Sequence, residues 1–217
     1  RTNYSKLKPI LLELLHDKLI DFEIVVSASV MLEKYGNAVN NIRNDGFEIS
    51  RIIDCSLMND SHEAMAKTVG LSTIEHATYY KEKNINALLI VGDRFDMLGA
   101  VIPGMLMNIP IIHIQGGEES GTIDNTIRSL ISKTAKIHLV ATESAKQNVV
   151  KSGIDSANVH NVGCTSVEYL SGLDLNWNKL ENQINEKFRN PIRLNPGEKY
   201  LILMFHPDTT EDNLIDV

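Results

Sequence analysis

Two cysteines in 217 residues leave no framework of disulfides to read. Cys55 and Cys164 lie far apart and form no metal-binding spacing, so both are expected to be buried, reduced thiols. No apolar run approaches the roughly 18 residues that cross a bilayer, and the opening residues lack a signal-peptide pattern. The cytoplasm is the expected compartment. Positive charge is also in deficit: the net charge is −7 and the pI about 5.5. That balance argues against nucleic acid or an anionic membrane surface as the main partner. An anionic ligand would have to be met by a few local cations and by backbone N–H groups. What the chain does have is an ordinary globular composition, 43% hydrophobic and 23% charged, and enough length to bury a core unaided.

Strand-like and helix-like segments alternate. Leu7, Ile10, Leu11 and Leu14 form one face of an amphipathic helix, with Ser5 suited to its N-cap. Strands are expected at 22–28, 47–53, 87–91, 111–114, 137–140 and 159–162. Helices are expected at 30–42, 61–83 (with Ala64, Val69 and Ile74 among its apolar positions), 95–107, 143–152 and 177–188. The run 87–91 is almost wholly apolar, the mark of a strand covered on both faces. This alternation predicts an α/β fold with a parallel sheet and helices on both faces.

Both ends read as cut. A helix opens the chain where a strand is expected before it, and the apolar run 200–205 ends it with little to follow. The expected division is a first domain over 1–190, a Pro-containing linker at 191–198, and the start of a second domain at 199–217.

In open parallel sheets, ligands bind beyond the carboxyl ends of the strands, and polar clusters are expected at that edge. Gly92-Asp93-Arg94 follows one strand. A second strand runs into the loop from Gln115 through Gly116, Gly117, Glu118, Glu119, Ser120 and Gly121 to Asp124 and Asn125. His206-Pro207-Asp208 follows the run 200–205, and Arg1 to Ser5 would join the same edge if a strand precedes them. Each has a plain structural reading as well. Gly-Asp-Arg suits a turn with a local ion pair, Asp124 suits an N-cap, and His113, His138 and His160 suit structural roles within strands. Together the clusters offer guanidinium groups for phosphate, carboxylates for proton transfer, and glycines that let backbone approach a ligand. No His and carboxylate set has metal-ligand spacing.

Gly92-Asp93-Arg94-Phe95-Asp96, Met107-Asn108-Ile109-Pro110, His113-Ile114-Gln115-Gly116-Gly117-Glu118, Ser120-Gly121-Thr122-Ile123-Asp124 and Met204-Phe205-His206-Pro207 together resemble the hydrolysing UDP-N-acetylglucosamine 2-epimerases. Arg1 with Tyr4 to Pro9 is similar to that family's opening Gly-Thr-Arg segment without its Gly-Thr and first strand. The resemblance implies a Rossmann-like domain forming one half of a two-domain glycosyltransferase-B-like fold. It implies that UDP-N-acetylglucosamine and water become N-acetylmannosamine and UDP through elimination to a glycal and hydration, with no cofactor. It implies a UDP-sugar substrate and a homo-oligomer. By motif position, Arg1, Ser5, Arg94 and His206 would bind nucleotide or phosphate, with Gly116, Gly117 and Ser120 beside the substrate. Asp93 and Asp124 would carry the acid–base or charge-stabilising roles, with His206, Gln115 and Glu118 as further catalytic candidates. Gln115 stands where many members have Glu, and Asn125 where a second acid is common. Since a carboxamide cannot transfer a proton as a carboxylic acid does, the weight falls on Asp124. The alternatives are a related UDP sugar such as UDP-diacetylbacillosamine, a glycosyltransferase of similar fold, and a non-catalytic sugar-nucleotide-binding fragment.

Overall fold

The computed structural model describes residues 3–27, 38–57, 61–171 and 176–186, together with 193, 195, 197–199, 201 and 203. The chain divides into two compact units, Arg1–Val167 and Glu168–Val217.

In the first unit the order is α1 (Tyr4–Leu14), β1 (Val25–Ser27), α2 (Ala38–Asn44), β2 (Arg51–Ile53), α3 (His62–Lys83), β3 (Leu88–Val91), a 3₁₀ turn (Phe95–Met97), α4 (Leu98–Leu106), β4 (Ile111–Ile114), α5 (Ile123–Thr134), β5 (Ile137–Val140), α6 (Glu143–Lys151) and β6 (Val159–Asn161). A short helix α7 (Thr165–Ser171) follows. The strands form two parallel sheets, β1-β2 and β3-β4-β5-β6. The expected alternation is therefore present, but in two pieces: among the described residues β1 and β3 are not hydrogen-bonded to each other, so each keeps an open edge.

Packing explains the regularity of the second sheet. Leu88 and Ile90 of β3, with Ile111 of β4, meet Tyr79 and Tyr80 of α3, Ala100 and Val101 of α4, and Ile127 and Ile131 of α5 in one buried cluster. A smaller cluster joins Leu11 of α1, Val26 of β1, Ile42 of α2 and Phe47. β1 and β2 are shorter than their apolar alternation suggests, because pairing extends over only three residues each.

Three expectations change. Ser5 is not the cap of α1: the helix starts at Tyr4, Ser5 is exposed in its first turn, and Asn3 precedes it. The Asn3 side chain makes no cap bond; its amide instead donates to the Val91 carbonyl at 3.0 Å, tying the helix start to the end of β3. On α3, Ala64 is buried and Val69 half-buried, but Ile74 is 64% exposed. The buried face carries Thr68, Ser72 and His76 instead. A Cβ on Gly99 of α4 would collide with the Ser72 side chain, so small residues there let the two helices approach closely. The third change concerns the run 200–205. Residues 200, 202, 204 and 205 lie outside the described residues, and Leu201 and Leu203 are 94% and 90% exposed in no strand.

In the second unit, α8 (Trp177–Asn185) is capped by Asn176, whose side chain accepts from the N–H groups of Asn178 and Lys179. Residues 177–180 of it are exposed, as expected of a surface helix. Residues 187 and 188, where the sequence extends it, lie outside the described residues.

Open edges have a measurable consequence, because amides exchange through local opening. In hydrogen-exchange mass spectrometry or NMR, Val25–Ser27 are expected to exchange at least about a hundredfold faster than Ile111–Ile114, which pair on both sides. Equal protection of the two strands would show that β1 is closed by something further.

Candidate active site

The carboxyl ends of β3, β4 and β6 carry the polar groups. After β3, Gly92 leads into half-buried Asp93 and Arg94. Arg94 Nε pairs with Asp96 Oδ1 at 3.4 Å, and Asp96 is 2% exposed; the guanidinium also stands over the Phe95 ring. The local ion pair is thus real and occupies part of Arg94.

Beneath this turn, His113 of β4 is fully buried. Its Nε2 lies 3.1 Å from the Gly92 carbonyl and its Nδ1 3.1 Å from Ser132 Oγ. Burial above all pushes its pKa down to about 4, so the ring is neutral. A carbonyl can only accept, so Nε2 carries the proton and Nδ1 accepts from the Ser132 hydroxyl. His113 is therefore structural, as its place in a strand suggested, and it steadies the residue just before Asp93. His138 is also buried within its strand, whereas His160 is exposed.

Beyond β4 the chain turns sharply. Gln115 has φ 59°, in the left-handed region uncommon for side-chain-bearing residues. Its N–H is held by the Leu139 carbonyl at 2.8 Å. The next two glycines answer to the protein's own packing. A Cβ on Gly116 would lie 2.8 Å from His113 Nδ1 and 2.9 Å from Ser132 Oγ. On Gly117, with φ 79°, it would strike the Ala145 carbonyl of α6. Gly121, by contrast, has open space around it.

The loop then runs into α5, and here the sequence reading missed the central residue. Arg128, 5% exposed, pairs its guanidinium with the Asp93 carboxylate. It also donates to the Glu118 carbonyl, to Ser120 Oγ at 3.5 Å and to Asn125 Oδ1 at 3.2 Å. Thus Asp93, Glu118 and Ser120 come together around one cation. Glu118 contributes its backbone oxygen, and its side chain is exposed. Asn125 serves as an acceptor for Arg128 and for the Ser120 N–H. The available signal was an arginine on the buried stripe of α5, flanked by Ile127 and Ile131.

Asp124 is not the cap of α5. Thr122 fills that role, its hydroxyl accepting from the Asp124 N–H at 3.3 Å. The Asp124 pKa is raised, first by burial and then by the negative charge of Asp93; Arg94 and Arg128 pull the other way. The four groups share one electrostatic site. Gln115 is buried nearby on the sheet edge, its Nε2 3.3 Å from Cys164 Sγ. Cys164 is half-exposed rather than buried as expected, while Cys55 is buried. Ser5 is exposed at the start of α1; Arg1 and His206 lie outside the described residues. Among the described residues no group of three or more His, Cys, Asp or Glu could hold a metal ion.

A profile of the family described as UDP-N-acetylglucosamine 2-epimerase matches residues 12–215. Over 217 residues the chain is 31% identical to the hydrolysing UDP-N,N'-diacetylbacillosamine 2-epimerase of Legionella pneumophila, covering 100% of this chain and 56% of that protein. It is 29% identical to the UDP-N-acetylglucosamine 2-epimerase of Neisseria meningitidis, covering 99% and 54%. The crystal structure of UDP-GlcNAc 2-epimerase from Neisseria meningitidis bound to UDP-GlcNAc superposes with a TM-score of 0.67 at 17% identity, over 84% of this chain and 50% of that one. The fold is thus the α/β, Rossmann-like fold expected from the sequence, that of one half of a glycosyltransferase-B-like architecture. The chain spans about half the length of the curated relatives it matches.

Two predictions follow from the charges. An aspartate whose pKa is raised penalises the folded state once ionised, so stability falls as pH rises from the ordinary carboxylate range through the raised value. Asp124→Asn is therefore expected to raise the thermal midpoint by a few degrees at pH 7 and to leave it unchanged near pH 3; an unchanged or lower midpoint at pH 7 would contradict the assignment. For His113 the sign is opposite. The unfolded ring binds a proton between pH 6.5 and about 4 while the folded one does not, so its contribution is complete above pH 6.5 and is lost as pH falls. That loss is worth on the order of 3 kcal/mol. The slope of urea-unfolding free energy over this window should flatten in His113→Asn.

Proposed function

The chain belongs to the UDP-N-acetylglucosamine 2-epimerase family, and on that premise we propose that its protein is a hydrolysing 2-epimerase, converting UDP-N-acetylglucosamine and water to N-acetylmannosamine and UDP. The observation that carries the reading is the cluster of Asp93, Asp124 and Arg128 at the carboxyl edge of the sheet, with Asp124 raised by burial and by Asp93.

The reaction needs a group that can both take and return a proton. Loss of the C2 proton and of UDP from C1 gives the glycal. Water then adds, with hydroxyl at C1 and hydrogen at C2 from the opposite face, and the sugar leaves epimerised. No oxidation state changes overall, so no nicotinamide or other redox group is required by the chemistry. A carboxyl with a raised pKa is the stronger base when ionised and is more often protonated near neutral pH. Asp124 takes this role. Asp93, held against Arg128, stabilises positive charge developing on the sugar. Arg94, and Arg1, Ser5 and His206 by motif position, meet the nucleotide or its diphosphate, while Gly116, Gly117, Gln115, Glu118 and Ser120 line the approach to the sugar.

The Legionella relative favours a second reading, in which the sugar is diacetylbacillosamine and the chemistry is the same. A cytoplasmic, homo-oligomeric protein goes with either. Among the described residues no helix is long and apolar enough to cross a membrane. Residues 191–198 serve as the linker between a domain over 1–190 and a second one beginning at 199.

A coupled assay on the full-length protein is expected to yield UDP and N-acetylmannosamine in equal amounts. Asp124→Asn should lower kcat by about a hundredfold or more, the usual contribution of a positioned acid–base group. UDP without N-acetylmannosamine would mean hydrolysis without epimerisation. No product from UDP-N-acetylglucosamine, but turnover of UDP-diacetylbacillosamine, would move the assignment to the second reading.

A further inference from the structure

Cys164 stands outside the acid–base cluster, yet its thiol holds one end of the Gln115 side chain. Gln115 is 4% exposed and caps β4 in a left-handed conformation. Its Nε2 donates to Cys164 Sγ at 3.3 Å, the only hydrogen-bond partner of that carboxamide among the described residues, and its Oε1 is buried without any donor. Leaving a buried acceptor unpaired costs about 1–3 kcal/mol, and strained backbone of this kind costs a similar amount and gathers at ligand sites. A side chain that needed only to fill space here would be better served by an apolar residue. The carboxamide is also on the correct edge: it follows β4, between the Asp93 turn after β3 and Cys164 three residues beyond β6.

A thiol is a weak donor as well as a weak acceptor; here the carboxamide turns its Nε2 to the sulfur, and Cys164 is the acceptor. With Nε2 turned to sulfur, the oxygen becomes the free end, and it can satisfy only a donor. We propose that Cys164 is a positioning residue that holds the Gln115 carboxamide with its oxygen presented to a hydrogen-bond donor, N–H or O–H, on the sugar of a UDP-N-acyl amino sugar. This rests on the epimerase reading for the identity of the sugar nucleotide. It makes Gln115 a recognition group, consistent with its inability to act as an acid, and it gives the half-exposed Cys164 a role distinct from that of the buried Cys55.

The test is a double-mutant cycle in the full-length protein with UDP-N-acetylglucosamine, using Cys164→Val, Cys164→Ser, Gln115→Met and the Val/Met pair. Cys164→Val is expected to raise KM about tenfold, the worth of one hydrogen bond, with kcat within about twofold. Cys164→Ser, which keeps an acceptor, should bring KM back to within about threefold of wild type. The double variant should be no worse than Gln115→Met alone, because both changes remove one interaction. A KM unmoved by Cys164→Val, or effects of the two changes that multiply, would overturn the proposal. A readout independent of turnover accompanies the cycle: alkylation of Cys164 by N-ethylmaleimide, followed by mass spectrometry. Saturating UDP-N-acetylglucosamine should slow it at least about fivefold by covering the Gln115–Cys164 pair; no slowing counts against the role. If Cys164→Val fails to fold, alkylation and the Ser variant carry the test. A protein that protects Cys164 yet forms no UDP or N-acetylmannosamine would sink the epimerase reading and leave the positioning role standing. One that turns over with Cys164→Val indistinguishable from wild type would sink only the positioning role.

Discussion

The ion pair between Arg128 and Asp93 is the contact on which the rest of the site depends. It joins the turn after β3 to the first turns of α5, across elements far apart in the chain. A buried guanidinium is costly unless its donors are satisfied, and here the loop supplies the remainder through the Glu118 carbonyl, Ser120 and Asn125. The cation thereby organises the loop as well as the charge. Since Asp124 lies one turn before Arg128 on α5, the group with the raised pKa is held at a fixed distance from the charges that tune it.

That arrangement needs a rigid floor, which the sheet provides. His113 braces the Gly92 carbonyl from β4, Ser132 of α5 braces His113, and Asn3 reaches the Val91 carbonyl from the start of α1. On the far side Asn148 of α6 donates to the Gly117 carbonyl at 3.0 Å. Strand ends, loop and three helices are thus linked by short-range hydrogen bonds, whose burial makes each costly to break.

Much of this was legible in the sequence, for identifiable reasons. The runs 87–91, 111–114 and 137–140 are apolar but for His113 and His138, and β3, β4 and β5 bury most of their side chains, so their positions could be read closely. β1 and β2 were overextended because alternating apolar residues continue past the three that pair. The face of α3 was misjudged since a helix that meets its neighbour closely buries Ser72 and Thr68 and leaves Leu71 and Ile74 outside; periodicity of hydrophobicity does not register small polar residues. The motif positions led to Asp93, Gln115 and Asp124, but Arg128 escaped notice because a lone arginine within an amphipathic pattern looks like its solvated edge. The glycines were located correctly and explained differently: Gly116 and Gly117 are required by His113, Ser132 and α6.

The fit of Gly117 against α6 bears on the thermodynamics of ligand capture. With a left-handed glycine wedged beneath the Ala145 carbonyl and its own oxygen held by Asn148, this stretch of backbone has already surrendered its conformational freedom during folding. Ordering a mobile loop on association normally subtracts from affinity; here that entropy was spent before the ligand arrives. The stability of α6 is therefore part of what would set how tightly a ligand at this edge of the sheet is held.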